Sequence, residues 1–184
     1  MTDPGVASQA EAPAHRKIAV DACILINLLR LGRLDILEES TSLKPVVTQS
    51  VIDEITDDIQ RNELEGSISA GRIELIDPDP TALDTFITAI ESGLGRGEAS
   101  CIALSGATGI LLGCDEKAGC FARFIEAIGL SGRVVTTRDL MVMAIGENRL
   151  GIDDANSLLD TLRTRLRYNV EDIRQCEVKD NLPV

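Results

Sequence analysis

Short apolar runs that stop at an acid or a turn, each succeeded by a stretch of helical periodicity, constrain this chain most. Lys17-Ile18-Ala19-Val20 runs into Asp21, and Ile24, Leu25, Leu28 and Leu29 then recur at helical spacing until Gly32. Leu34 to Leu37 adds a helical turn. Pro45-Val46-Val47 reads as a buried strand, and Thr48 and Ser50 suit the cap of a helix carrying Val51, Ile52, Ile55 and Ile59. Arg72 to Ile76 alternates like an edge strand, Asp77-Pro78-Asp79-Pro80 turns the chain, and Thr81 caps a helix reaching about Ser92. A glycine-rich turn, Gly93 to Gly97, opens a helix from about Glu98 to Ala107. Gly109 to Cys114 is a strand leading into Asp115, and a helix then runs to Ile128. Arg133-Val134-Val135 is the last strand, Thr136 or Thr137 caps the next helix, and two helices near 138–148 and 153–167 close the pattern. Repeated strand–helix alternation predicts an α/β fold around a mostly parallel sheet. No repeat or linker divides it, and Met1 to His15 reads as a tail.

Three acids stand where such a sheet places function. Asp21 and Asp115 each end an apolar strand, and Glu98 opens a helix after the glycine turn. Glu54 lies in the helix after the second strand and can point to the same edge. Strand C-termini share one edge in a parallel sheet, and ligands bind in the crevice there. Four carboxylates crowded together repel one another and take up protons unless cations compensate them. All-oxygen ligand sets suit magnesium or manganese, which activate water and clamp the oxygens of a phosphodiester. Taken singly, an Asp at a strand–helix junction is an ordinary N-cap, and a Glu early in a helix answers the helix dipole. Only their joint placement points to a metal.

Other chemistries lose their essential residues. The only histidine is His15, so histidine acid–base catalysis and Ser-His-Asp triads have no base. Gly93, Gly95 and Gly97 have the wrong spacing for a dinucleotide loop, and no Gly-Lys-Ser/Thr of a P-loop comes after them. Tryptophan is absent and aromatic residues are 2% of the chain, which disfavours stacked-base platforms. The five cysteines form no C-x-x-C pair and have no histidine nearby, so they read as reduced, buried small hydrophobes. No apolar run spans a membrane and the N-terminus lacks a signal pattern, so the expected location is cytoplasmic. Net charge is −12, concentrated in residues 1–92, which carry 7 basic and 17 acidic residues. That balance argues against a sequence-blind duplex binder living on phosphate contacts, but not against a nuclease, because bound metal would reverse the local potential.

These residues resemble a known family. Lys17-Ile-Ala-Val-Asp21-Ala-Cys-Ile-Leu-Ile-Asn-Leu-Leu29 is similar to the opening strand and helix of PIN domains. Val46 to Ile55, with Glu54 in the acidic position, resembles their second motif. Gly95-Arg-Gly-Glu98-Ala-Ser-Cys-Ile-Ala-Leu104 and Leu111-Leu-Gly-Cys-Asp115 resemble the third and fourth. The resemblance spans 17–168 and leaves 1–16 as an N-terminal tail and 169–184 as a C-terminal extension. It implies a three-layer α/β/α sandwich and a ribonuclease. Such an enzyme uses Mg2+ or Mn2+ on Asp21, Glu54, Glu98 and Asp115 to cut single-stranded RNA, leaving a 5′-phosphate. It also implies kinship with VapC-type toxins, and hence an antitoxin protein as partner and a homodimer, for which Met141, Met143, Leu158, Leu159 and Leu162 are candidate interface residues. Thr48, Ser50, Glu116 and Asp139 are candidates to steady the ligands, although Asp139 reads more simply as a helix cap. Arg96, Lys117 and Arg123 adjoin the pocket as candidate RNA contacts, and Arg163, Arg165 and Arg167 are expected to pair with acids on neighbouring helix turns.

The sequence also departs from the family pattern. Cys23 stands where Ser, Thr or Asn is usual, Ala118-Gly119-Cys120 where a basic residue is, and Thr136-Thr137-Arg138-Asp139 where a Gly-Thr turn is. The alternative reading is a PIN-like module that binds RNA or protein with weak catalysis or none.

Overall fold

The computed structural model describes residues 15–116, 119–166, 168 and 170–180. Most of the expected N-terminal tail, together with Lys117, Ala118 and Arg167, lies outside the described residues. Five parallel strands form the sheet: β1 (Arg16–Val20), β2 (Leu43–Val47), β3 (Glu74–Leu75), β4 (Leu111–Gly113) and β5 (Val134–Val135), in the order β3-β2-β1-β4-β5. Ile18, Ala19 and Val20 of the central strand are fully buried. That is the continuous apolar run expected of a parallel strand covered on both faces.

The helices arise from the same logic. From β1 the chain steps outward through α1 (Ala22–Leu31) and α2 (Asp35–Glu38) to β2, then through α3 (Gln49–Glu54) and α4 (Asp58–Ser69) to β3. It returns through α5 (Leu83–Glu91) and α6 (Arg96–Thr108) to β4 on the other side of β1, and α7 (Gly119–Ala127) leads to β5. Crossovers of this kind are almost always right-handed, and their opposite directions are expected to put α1–α4 and α5–α7 on opposite faces of the sheet. After β5, α8 (Thr137–Gly146) and α9 (Ile152–Leu166) pack on α1, and a short α10 (Gln175–Asp180) packs on α8. The result is an α/β/α sandwich. Helix α6 is buried from Ala99 to Ser105, and its Ala, Ser and Gly residues let it lie close to β1 and β4. Among the described residues no helix is long and apolar enough to cross a membrane.

The helix expected through Ile59 is in fact two. Asp57 accepts the Gln60 N–H and starts α4 afresh, so the apolar periodicity that begins at Val51 does not carry across the break. Val51, Ile52 and Ile55 are buried, whereas Ile59 is 78% exposed. Asp79, rather than Thr81, caps the short 3-10 turn at Pro80–Ala82 that precedes α5. Met141, Leu159 and Leu162 are fully buried in the core, and Met143 and Leu158 pack against it. Met141, Leu159 and Leu162 are therefore spent inside the domain, whereas Met143 and Leu158 are only partly buried. Arg163 pairs with Asp160 and, more tightly, with Asp172 at 2.7 Å.

One polar hub fastens the α2–β2 connection to the end of α8. Glu147 Oε1 accepts from the Ser40 and Ser42 hydroxyls and from the Thr41 and Ser42 N–H groups, while Oε2 accepts from Arg149. Arg149 in turn donates to the Asp35 and Ile36 carbonyls. Although burial alone would raise it, these donors hold the Glu147 carboxyl down at about 2.

Candidate metal centre

The chain winds outward from β1 in one direction through β2 and β3, and in the other through β4 and β5. The C-terminal ends of β1 and β4 therefore open into the crevice where such sheets bind ligands. Val20 lies in register with Gly113, and Asp21 donates its N–H to the Gly113 carbonyl at 2.9 Å. Asp21 caps α1 through Oδ2, which accepts the Cys23 N–H at 3.3 Å. Its residue exposure is only 4%, and its other oxygen, Oδ1, is buried with no hydrogen-bond partner. A buried carboxylate oxygen without a donor is costly unless a cation or proton meets it. Burial accordingly pushes the Asp21 carboxyl up, and repulsion from Glu54 adds to it.

Glu54 ends α3, and Glu98 stands in the first turn of α6. The Gly97 N–H donates to Glu54 Oε1 at 2.6 Å, which draws the two elements together. Any side chain at position 97 would collide here, since a Cβ would lie 2.5 Å from Glu54 Oε2. Glu98 accepts the Gly95 N–H through Oε2 at 3.1 Å. Its carboxyl is raised chiefly by burial and further by Asp21, Glu116 and Glu54, against the lowering effect of the Gly95 bond. Asp21, Glu54 and Glu98 thus share one electrostatic neighbourhood.

Asp115 is set differently. Oδ1 accepts from the Thr137 N–H at 2.7 Å and the Tyr168 hydroxyl at 2.6 Å; Oδ2 accepts from Asn27 Nδ2 at 2.8 Å and Thr137 Oγ1 at 2.6 Å. Four donors occupy the roughly four lone-pair sites of a carboxylate. In this arrangement Asp115 ties α1, α8 and the segment after α9 to the sheet edge. Burial and the neighbouring Asp115 raise the Tyr168 phenol, so it remains a donor. Asn27 and Tyr168 were not singled out by their sequence context, and Thr137 only as a possible helix cap in the turn after the last strand. Asn27 carried the best signal, as an uncharged polar side chain within the otherwise apolar run Ile24–Leu29.

The remaining candidates separate by place. Thr48 is buried, caps α3 and shares a 2.6 Å hydrogen bond with Ser100. Ser50 lines a shallow hollow with Pro80, Leu83 and Phe86. Asp139 is the partner of Thr136 in a capping box. Glu116 is exposed and acts on Glu98 through its charge. Arg96 and Arg123 are exposed, and among the described residues neither joins an ion pair.

Two cysteines complete the pocket, against the expectation that all five are inert core. Cys23 and Cys114 approach to 3.9 Å between sulfurs, and the Cys114 thiol lies 4.0 Å from both Asp21 Oδ2 and Glu98 Oε1. Contact with Cys114, then burial, pushes the Cys23 thiol up. Cys101 is a buried core residue as expected.

A sequence model of the PIN domain matches residues 17–176, most of the chain. The chain belongs to the PIN-domain family. No curated protein matches it. PIN domains are generally nucleases and usually use divalent metals, and this PIN domain gathers its carboxylates at the C-terminal edge of the sheet. Among the described residues, the donor atoms that lie within 4.8 Å of one another are those of Asp21, Cys23 and Cys114; Glu54 and Glu98 act on Asp21 through their charge, and Asp21 Oδ1 is buried with no hydrogen-bond partner.

Proposed function

We propose that this PIN domain is a metal-dependent endoribonuclease acting on single-stranded RNA. The unpartnered, buried Asp21 Oδ1 beside Glu54 and Glu98 carries the reading. Asp21, Glu54 and Glu98 would hold Mg2+ or Mn2+, which when bound supplies an activated water and neutralises charge on the phosphodiester. Asp21 orients its free oxygen by committing the other to the α1 cap. Gly97 positions Glu54, and the Gly95 N–H positions Glu98. Asp115 acts as a positioning residue, fixing Asn27, Thr137 and Tyr168 around the pocket. The direct test is incubation of a 5′-labelled single-stranded RNA with the full chain in manganese. Cleavage should require the metal, leave 5′-phosphate ends and spare duplex RNA.

The complete hydrogen-bond saturation of Asp115 favours a second reading, an RNA-binding PIN domain that cuts poorly. Binding of the same RNA without cleavage in either manganese or magnesium would establish it.

Gly97 offers a test of the Glu54 clamp. Gly97→Ala should displace the Glu54 carboxylate while the fold survives, because the colliding atoms are the end of an exposed, flexible side chain. Manganese affinity, read from the metal dependence of the melting temperature, should fall by about tenfold or more, in the range typical when ligand-orienting contacts are lost. An unchanged manganese dependence would remove Glu54 from the ligand set.

Arg96, at the first turn of α6 and next to Gly97, is the proposed RNA contact, together with Arg123. Arg96→Gln should weaken RNA binding and flatten its salt dependence by roughly one unit of slope per lost phosphate contact, with melting unchanged. An unaltered salt slope would show that RNA enters elsewhere.

A further inference from the structure

We propose that Asp21, Cys23 and Cys114 form a binding site for a thiophilic divalent ion, Zn2+, which occupies the pocket in place of the hard ion and holds the nuclease inactive. One carboxylate oxygen and two sulfurs, from the end of β1, the first turn of α1 and the end of β4, lie within 4.8 Å of one another. A tetrahedral zinc ion with Zn–S bonds of about 2.3 Å has an S···S edge of about 3.8 Å. The two sulfurs stand 3.9 Å apart. The S···O edge of such a site is about 3.6 Å, so the 4.0 Å between Cys114 Sγ and Asp21 Oδ2 needs only a small closure. Glu98 Oε1 lies 4.0 Å from Cys114 Sγ, outside the three-donor group, which leaves the fourth position to water or substrate.

One further observation points to a cation here. Asp21 Oδ1, on the same carboxylate, is buried without a partner. Thiolates select zinc over magnesium and manganese, because soft ligands gain little from hard cations. Zinc binding converts two thiols to two thiolates and releases two protons to solvent; nothing is oxidised or reduced. Because both kinds of ion would draw on the Asp21 carboxylate, a dication held by the two sulfurs opposes a second dication at the same side chain by charge repulsion. The inhibitory half of this inference rests on the nuclease reading, whereas the zinc site itself does not.

The test is a titration of the metal-stripped full chain with Co2+ as the zinc surrogate, in a phosphine reductant that keeps all thiols free. One equivalent should produce thiolate-to-cobalt charge-transfer absorption together with the intense visible bands of tetrahedral cobalt. One equivalent of Zn2+ should bleach both, and excess Mg2+ should not. The signal should persist in Cys176→Ser, which removes the exposed cysteine, and disappear in the Cys23→Ser/Cys114→Ser double variant. Should the double variant fail to fold by circular dichroism, Asp21→Asn provides the second measurement. It keeps both thiols, so charge transfer should remain while affinity falls by more than about tenfold. No charge transfer in the native chain, survival of the signal in a folded double variant, or undiminished affinity in Asp21→Asn overturns the site. In the RNA assay, Zn2+ should suppress manganese-dependent cleavage by the native chain. Charge transfer without any RNA cleavage would sink the nuclease reading and leave the zinc site standing; cleavage indifferent to zinc would overturn the inhibitory role.

Discussion

Asp21→Asn is expected to lower manganese-dependent RNA cleavage by at least about a hundredfold, and at the same time to raise the melting temperature of the metal-free protein. The loss comes from removing a direct ligand, since the metal accounts for several kcal/mol of transition-state stabilisation and each 1.36 kcal/mol is about tenfold in rate. The gain in stability comes from burial. Asp21 is almost wholly enclosed and one of its oxygens is unpartnered, so the metal-free fold carries an uncompensated charge. Asn keeps the helix cap, because its side-chain oxygen can still accept the Cys23 N–H, and it is an equally good N-cap residue. Relief of the buried charge should contribute about 1–2 kcal/mol, or roughly 2–6 °C in melting temperature.

The pH dependence carries the same sign. Asp21 and Glu98 are both raised in the folded state, so their contribution is fully present below their unfolded values and is lost as pH rises through the folded ones. In chelator the native protein should therefore lose stability over that window, and Asp21→Asn should lose less. Adding manganese should raise the melting temperature of the native protein and leave the variant nearly unmoved. An equal manganese-induced rise in both proteins, or a variant that melts lower in chelator, would contradict the assignment of Asp21 to the metal.

Glu147→Ala is the largest expected loss of stability away from the pocket. The substitution leaves the Ser40, Thr41 and Ser42 donors without their shared acceptor and releases Arg149 from its ion pair. The cost should be about 2–4 kcal/mol, or roughly 5–12 °C in melting temperature. Its pH signature is opposite to that of Asp21. The folded Glu147 carboxyl is lowered from 4.5 to about 2, so its contribution is present above the unfolded value and is lost as pH falls through about 2. The native and variant melting temperatures should therefore differ most near neutrality and converge as the solution approaches pH 2. Parallel melting curves over this acid range would show that the hub acts by packing rather than charge.

Alternation of apolar runs with helical stretches was enough to determine an α/β fold with a parallel sheet, because strand and helix periodicities are local properties of the chain. The same reading put Asp21, Glu54, Glu98 and Asp115 at strand or helix ends, since in a parallel sheet those ends share an edge. The Ile55–Asp57 break escaped it, because the Val51–Ile59 spacing fits a continuous helix equally well, and the restart is decided by one local bond from Gln60 to Asp57. Orientation was beyond it as well. Position alone did not distinguish the unpartnered Asp21 from the saturated Asp115, because the difference lies in donors from Asn27, Thr137 and Tyr168, brought in by α1, α8 and the segment after α9. The two cysteines show the same division. Each is close to a strand-ending acid in sequence, Cys23 two residues after Asp21 and Cys114 one before Asp115. Their meeting nonetheless depends on β1 and β4 lying side by side, with the whole α1–α6 segment folded away between them. Short-range periodicity determines which elements form, whereas long-range strand pairing decides which side chains meet. That pairing sets two ordinary thiols beside the acids of one pocket.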